Sequence, residues 1–485
     1  MSQRIFGIET EFGCLAEADR FTSSPEGIAA RVRDYVFHEL KLGISDMHYR
    51  DWGEPPGNGG FLFNGGRLYI DMGHLEYATP ECQQLFDLVA YDKAIEQVIT
   101  QILDELELAE EVSFFKNNVD HFTGATFGCH ENYQIRRDVS FYKVVIPTLM
   151  PFFVTRQIYA GAGRVGGYEE ILEFGEVQHG RDGFVGYQIS QRADHIVTEI
   201  YEWIQFSRAI INTRDEPLAD YTKYRRLHLL VGDSNMSEYA TVLKVGTTSL
   251  VLDLIEAGHR PRNLGLSDPV QAIKDVSRDQ SFEWIVELES GDTISAIDLQ
   301  REYLKLAQKI LKGRDNDTDW VLAAWESVLD DLEKDWTNVT DRVDWAAKKW
   351  LLETFMEEEN LDWDDPWLES LDLEYHHIHP GRGLYYSLEH SGHAKRVITD
   401  EQIEAAIRKA PEDTRAKART HIMRYLFQNR LPCIVDWHQI YFTHEEPFEM
   451  KDPFYTYEAE VEVLLKRLSQ HPKSAARKQK RVRLQ

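Results

Sequence analysis

Gly7-Ile8-Glu9-Thr10-Glu11-Phe12-Gly13 carries two carboxylates two residues apart. Side chains alternate across a strand, so this spacing turns Glu9 and Glu11 to one face and leaves Ile8 and Phe12 on the other. Residues 4–12 therefore read as a strand. Paired carboxylates on a rigid strand suit magnesium, which takes oxygen ligands and completes its shell with water or phosphate oxygens. The same spacing also describes an ordinary acidic, solvent-facing strand edge.

A second strand sharpens the choice. Arg67-Leu68-Tyr69-Ile70-Asp71 follows the turn Asn64-Gly65-Gly66. Alternation places Arg67, Tyr69 and Asp71 on one face while Leu68 and Ile70 face the core. The planar fork of an arginine matches phosphate oxygens, and Asp71 could accept a proton from an attacking amine. A surface ion pair on an amphipathic strand is the plainer alternative. Glu76 lies five residues beyond Asp71. Thr79-Pro80-Glu81 then predicts the start of a long helix, with an apolar stripe through Leu85, Leu88, Val89, Ile95, Val98, Ile99, Ile102 and Leu106. At a helix N-terminus Thr79 would meet a phosphate or ribose, or would simply cap.

Outward from these segments, Ser24-Pro25-Glu26 predicts a helix start, with Gly43 suited to its end. Residues 46–60, rich in Gly, Pro and charge, read as loop. Strands are expected near 113–116, 130–136 and 227–231, a helix over 237–257, and mainly helix over 298–357. The acidic, tryptophan-containing stretch 357–374 reads as solvated surface. Glycine-rich 161–167 matches neither a Walker nor a dinucleotide motif and reads as a flexible loop.

Polar segments cluster at Lys116-Asn117-Asn118, at Gly128-Cys129-His130-Glu131-Asn132-Tyr133 and at Tyr224-Arg225-Arg226-Leu227-His228. His130 could be a metal ligand, a phosphate donor or a satisfied buried histidine. Arg214, Arg225 and Arg226 could neutralise a phosphoryl group or form structural pairs with Asp215 and Glu216. Cys129 has no nearby partner that would make it a nucleophile.

The 485 residues exceed one average domain. The expected division is a catalytic domain over 1–395, a small C-terminal domain over 396–470 and a basic, disordered tail over 471–485. A net charge of −28 argues against a nucleic-acid binder, which would need a basic footprint. Four cysteines without a C-x-x-C pair suggest a reducing compartment, so the expectation is cytoplasmic. The longest apolar stretch, 144–154, is too short to span a bilayer, so no membrane association is expected.

Taken together, residues 7–13, 64–79, 116–133, Thr155-Arg156-Gln157, 211–217 and 224–238 resemble, in order, successive signatures of the Pup ligase/depupylase family. The resemblance runs through nearly the whole chain. It implies an α+β, glutamine-synthetase-like carboxylate–amine ligase fold, with an antiparallel sheet cradle packed with helices. Carried over by motif, Glu9, Tyr69 and Glu76 would be magnesium positions. Arg67, Thr79 and Trp437 would contact ATP, and Asp71 would be the catalytic base. A neutral tyrosine is a poor magnesium ligand, which suggests that Tyr69 acts through water. The implied partners are Pup, or a Pup-like protein tag, and lysine-bearing protein substrates.

Within that family Gly128-Cys129-His130, Val435-Asp436-Trp437 and Lys451-Asp452-Pro453-Phe454 are similar to the ligase branch. The five-residue interval from Asp71 to Glu76, Gly246-Thr247-Thr248-Ser249-Leu250 and Gly383-Leu384-Tyr385 are similar to the depupylase branch. The expected activity is ATP-driven ligation of the tag through its C-terminal glutamate side chain. Depupylase or deamidase activity, or a small-molecule glutamate–amine ligase, are the alternatives.

Overall fold

Strand pairing across long stretches of sequence organises the chain. The computed structural model describes residues 4–16, 24–50, 54–121, 124–173, 176–180, 183–203, 208–443 and 445–470. In chain order the first half contains β1 (Phe6–Ala16), α1 (Pro25–His38), β2 (Gly43–Ser45), β3 (Gly59–Leu62), β4 (Arg67–Asp71), β5 (His74–Ala78), α2 (Leu85–Glu105), β6 (Val112–Phe115), β7 (Cys129–Arg136) and α3 (Ile146–Ala160). Four short strands follow, β8 (Arg164–Val165), β9 (Glu169–Glu173), β10 (Glu176–Gly180) and β11 (Tyr187–Gln188), then β12 (Thr198–Tyr201), β13 (Ala209–Asn212), β14 (Tyr224–Leu229) and α4 (Glu238–Glu256).

The second half is mainly helical: α5 (Pro269–Arg278), the hairpin β15 (Ile285–Glu287) and β16 (Thr293–Ser295), α6 (Ala296–Leu311), α7 (Asn316–Lys334), α8 (Asp344–Glu359), α9 (Pro366–Tyr375), α10 (Leu384–His390) and α11 (Asp400–Arg408). It ends in α12 (Arg415–Asn429), β17 (Cys433–Val435), β18 (Gln439–Phe442), β19 (Phe448–Glu449) and α13 (Glu458–Gln470). Among the described residues no helix is long and apolar enough to cross a membrane.

The fold is α+β. Its main sheet runs β12-β13-β14-β7-β1-β5-β4-β3-β2, with β6 paired to the far end of β1. Every pair in it is antiparallel except β12 with β13, so the expected antiparallel sheet is mixed at one edge. Ile8, Cys129, Tyr133, Leu227 and Leu229 pack under the sheet with apolar residues of α2, α3 and α4. Phe12, Leu68, Leu75 and Tyr77 pack with α1 and the second half of α2. The opposite face carries Glu9, Glu11, Arg67, Tyr69, Asp71 and Glu76. The alternation in the sequence fixes which side chains go where.

Buried ion pairs brace the apolar side. Arg156 of α3 meets Glu131 of β7 at 2.6 Å, and Lys116 binds Glu96 at 2.9 Å and also reaches Asp92. Breaking one partner of such a pair leaves an uncompensated buried charge, worth about 3–5 kcal/mol. These pairs therefore hold β7 and the end of β6 in register.

Four expectations differ from the structure. The long helix begins at Leu85, not at 79–81, and Gln84 occupies its N-cap. Residues 79–82 stay extended because they pair with β1: Phe6 and Cys82 exchange backbone hydrogen bonds, and Thr79 Oγ1 accepts from the Ile8 amide at 3.0 Å. Thr79 thus secures a strand, not a helix end. Gly43 does not end α1 but opens β2, where a Cβ would lie 2.3 Å from the Phe61 carbonyl oxygen.

Glycine-rich 161–167 is buried, not a loose loop. Gly163 has a φ of +73°, a conformation that disfavours other residues, and its amide bonds to the Ile189 carbonyl. Finally, the acidic 357–374 stretch is only partly solvated. Its Asp372 is buried and binds Lys348 and the Val165 amide.

At the C-terminal end, Ile403 and Ala406 of α11 join the main core beside α2. α12, β17, β18 and α13 instead enclose a separate core with Phe61 and Phe63. Residues 471–485 lie outside the described residues.

Candidate active site

Register assembles the polar face. Glu11 lies opposite Glu76, and Glu76 opposite Tyr69, across β1, β5 and β4. One step along, Glu9 lies opposite Ala78 on one side and His130 on the other. Asn132 lies opposite His228 in the pair of β7 with β14. Five strands from distant parts of the sequence thereby place two groups of side chains side by side.

The first group is carboxylate-rich. Oxygens of Glu11, Asp71 and Glu76 lie within 4.8 Å of one another. Tyr69 donates to Glu76 Oε1 at 2.6 Å, and His74 Nδ1 stands 3.6 Å from Glu11 Oε2. Burial, followed by the charge of Glu11, pushes Asp71 up to about 6. Burial and then Glu11, Glu9 and Asp71 hold Glu76 well above the usual carboxylate range. Burial and the Glu76 charge likewise keep the Tyr69 phenol protonated.

The second group centres on Glu9. Its Oε1 accepts from Asn132 Nδ2 and from Arg226, each at 3.1 Å, while Oε2 faces His130 Nδ1 at 3.4 Å and His228 Nε2 at 3.9 Å. Burial opposes the Glu9 charge, but Arg226, His130 and His228 outweigh it and hold the carboxyl far below its ordinary range. Burial and then Arg226 keep His228 neutral. Gly128 is required beside this group, since a Cβ there would lie 2.4 Å from His130 Nε2 and 2.8 Å from Glu11 Oε1.

Arg67 sits at the edge of the site, its guanidinium 4.4 Å from the Tyr69 ring centroid. Glu54 and Asp46 bind it, Asp46 at 3.3 Å, and both raise its pKa against the opposing effect of burial. Thr79 and Trp437 lie on the other side, where they line a cleft of about 180 Å³ together with Glu9, Asn132, Arg226 and Arg415. Trp437 reaches the sheet through an edge-on contact with Phe61, ring centroids 5.0 Å apart. Glu81 anchors this wall: it accepts from Arg415 at 2.7 Å and from Arg419 at 2.9 Å, and Arg419 also donates to the Trp437 carbonyl at 2.8 Å.

The sequence matches the profile of a family described as "Pup-ligase protein" over residues 4–441. It is 40% identical over 480 residues to a Pup–protein ligase of Mycolicibacterium gilvum, covering 96% of this chain and 99% of the relative. The chain belongs to the Pup-ligase family. A Pup–protein ligase of Nakamurella multipartita is 40% identical over 469 residues, covering 94% of this chain and 97% of the relative. Among solved structures, the complex between prokaryotic ubiquitin-like protein Pup and its ligase PafA matches with a TM-score of 0.82 at 36% identity, covering 97% of this chain and 92% of that one. PafA in complex with ADP matches with a TM-score of 0.76 at 36% identity, covering 93% and 95%.

In this Pup-ligase family member Glu9, Arg67, Tyr69, Asp71 and Glu76 share one sheet face, and Thr79 and Trp437 line the adjoining cleft. The arginine cluster divides. Arg225 pairs with Asp215 at 3.1 Å and Arg214 with Glu216 at 2.7 Å, whereas Arg226 turns to Glu9. Glu11, paired with Glu9 in the sequence, is the third carboxylate, and three further residues join the site without having been singled out for it: His228 beside Glu9, and Asp46 and Glu54 on Arg67. Strand alternation already turned Glu11 and His228 toward this face. Nothing in the sequence marked Asp46 or Glu54, because the loop that carries them folds back by tertiary contact.

Proposed function

We propose that the chain is an ATP-dependent ligase that phosphorylates the side-chain carboxylate of the C-terminal glutamate of Pup or a Pup-like tag and joins it to a lysine of a protein substrate. The observation that carries this reading is the grouping of Asp71 with Glu11 and Glu76 on one sheet face, in a chain that aligns end to end with Pup–protein ligases. In this reading residues 1–395 form the catalytic, glutamine-synthetase-like domain. Residues 396–470 form a small C-terminal domain that is fastened to the main core through α11 and brings Trp437 to the cleft.

The chemistry follows from the carboxylate. Oxide is a poor leaving group, so an amine does not displace it. Transfer of the γ-phosphoryl group of ATP to a carboxylate oxygen yields an acyl phosphate and ADP. The lysine nitrogen then attacks the carbonyl carbon, the bond to the phosphate oxygen breaks, and inorganic phosphate departs. Asp71, ionised at neutral pH and partly open to solvent, accepts the proton that the amine loses. Arg67 would hold phosphate oxygens once released from Glu54, and Thr79 and Trp437 would contact the nucleotide.

Magnesium fits the carboxylate group on electrostatic grounds. Two unit negative charges no more than 4.8 Å apart repel by at least about 3 kcal/mol at an effective dielectric near 20. Three such groups are therefore strained until a cation or protons neutralise them. Glu76 would coordinate directly and Tyr69 would orient it through their hydrogen bond, with Glu9 at the neighbouring position. When bound, magnesium offsets the charge of the phosphate groups.

Incubation with ATP, magnesium, Pup ending in glutamate and a lysine-bearing protein tests the reading. A new conjugate of summed mass is expected. Release of Pup from a preformed conjugate, with no new conjugation, would replace ligase by depupylase.

A further inference from the structure

We infer that a cavity between α2, α10 and α11, lined by Lys93 and Glu389, is a binding site for a neutral α-amino acid with an aliphatic side chain. The cavity has a volume of about 280 Å³, at the small end of the range for ligand pockets, about 300–1,000 Å³. It shares no lining residue with the cleft beside Thr79 and Trp437.

Its two key charges are incompletely matched. Lys93 is 5% exposed, and among the described residues its ammonium has one hydrogen-bond partner, Glu96 Oε2 at 3.3 Å. Glu96 is already committed elsewhere: it binds Lys116 at 2.9 Å and accepts from the Tyr386 hydroxyl. An ammonium has three hydrogens to donate, and leaving them unused in a nearly dry place is costly. Glu389 is the complement. Among the described residues its carboxylate has no hydrogen bond, and Arg396 stands off at 3.8 Å. Arg396 is instead taken by Glu238 at 3.2 Å and by Asp400 at 2.6 Å, and Glu238 also accepts from the amides of Val397 and Ile398. Burial raises the Glu389 carboxyl above its ordinary range, and Lys93 is the chief charge opposing that rise. Lys93 and Glu389 thus feel one another without forming an ion pair.

These charges select the ligand. A simple anion is drawn to Lys93 but repelled by Glu389, and a simple cation meets the reverse. A carboxylate and an ammonium on one carbon satisfy both: the carboxylate accepts from Lys93, and the ammonium donates to Glu389. A charged side chain on the ligand would find no partner, because Arg396, Glu238 and Asp400 already bind one another. Ile378, Pro380 and Ile403 also line the cavity, and both isoleucines are buried. They offer an aliphatic side chain apolar surface to cover.

The full chain is titrated with L-leucine, and binding is followed by ligand-observed NMR. Isocaproate, which lacks the ammonium, and isoamylamine, which lacks the carboxylate, are titrated alongside. Leucine should bind, and each analogue should bind about tenfold or more weakly, since each loses one charged hydrogen-bonded contact. Glu389→Gln keeps the side chain's shape and should weaken leucine by a similar factor, with an unchanged circular dichroism spectrum. Lys93→Met should do the same. Should that variant fail to fold, Glu389→Gln and the two analogues decide. No binding of leucine, an analogue that binds as tightly as leucine, or unchanged leucine affinity in Glu389→Gln would overturn the site.

Discussion

Tyr69 donates its phenolic hydrogen to Glu76 Oε1 at 2.6 Å across neighbouring antiparallel strands. The phenol fixes a carboxylate that also faces Glu11, Asp71 and Glu9. Tyr69→Phe removes that donor while keeping the ring that packs beside Arg67. Conjugation should fall by about 10- to 100-fold, as for other residues that orient a metal ligand. The magnesium concentration needed for half-maximal rate should rise, with an unchanged circular dichroism spectrum. A variant with wild-type magnesium dependence would remove Tyr69 from the metal-orienting role.

Asp71→Asn should reduce turnover by about 10²- to 10⁴-fold, the range for loss of a general base, while ADP binding persists. It should also stabilise the protein. The Asp71 carboxyl is raised to about 6 in the fold, so the folded state favours its protonated form. That contribution is present in full below the unfolded pKa and is lost as pH rises through about 6. At neutral pH the charge therefore destabilises, by about 1–2 kcal/mol after discounting for partial exposure. Thermal melts at pH 7.5 should show the variant above wild type, and melts at pH 4 should show the gap closing. In wild type, conjugation should rise with pH through the same region.

Glu81 behaves in the opposite sense. Burial opposes its charge, but Arg419 and Arg415 lower its pKa from 4.5 to about 2. Its stabilising effect is complete above about 4.5 and fades as pH falls toward 2, worth about 3 kcal/mol in all. Glu81→Gln should lower the urea midpoint clearly at pH 7 and much less at pH 3. Equal losses at both pH values would mean that packing, not charge, sets the effect. Because Arg419 also holds the Trp437 carbonyl, ADP affinity should fall as well.

Glu54 occupies the guanidinium of Arg67, where phosphate oxygens are proposed to bind. Glu54→Gln should tighten ADP several-fold, on the scale of about 1 kcal/mol for one partly exposed ion pair. Isothermal calorimetry measures this directly. Weaker binding would mean that Glu54 positions Arg67 for the nucleotide instead of competing with it.

Much of the site was legible because a strand has a period of two. Alternation alone put Glu9 with Glu11, and Arg67 with Tyr69 and Asp71. Which strand lies beside which was not legible, because pairing of Glu11 with Glu76, or of Glu9 with His130, depends on register between segments far apart in sequence. Thr79-Pro80-Glu81 has the local form of a helix start, yet pairing with Phe6 and the pull of two arginines on Glu81 keep it extended. The glycines of 161–167 signalled freedom locally. The structure uses them for close packing, as the Ile189 carbonyl would lie 2.1 Å from a Cβ at Gly161.

The central strand β1 precedes its neighbours β5 and β7 in the chain, β14 beyond β7 follows some two hundred residues on, and Trp437 comes later still. Contacts this distant in sequence form slowly and late. A growing chain therefore holds Glu9 and Glu11 long before it holds anything for them to act with. A fragment ending before β14 would lack Arg226 and Trp437 and so one wall of the cleft.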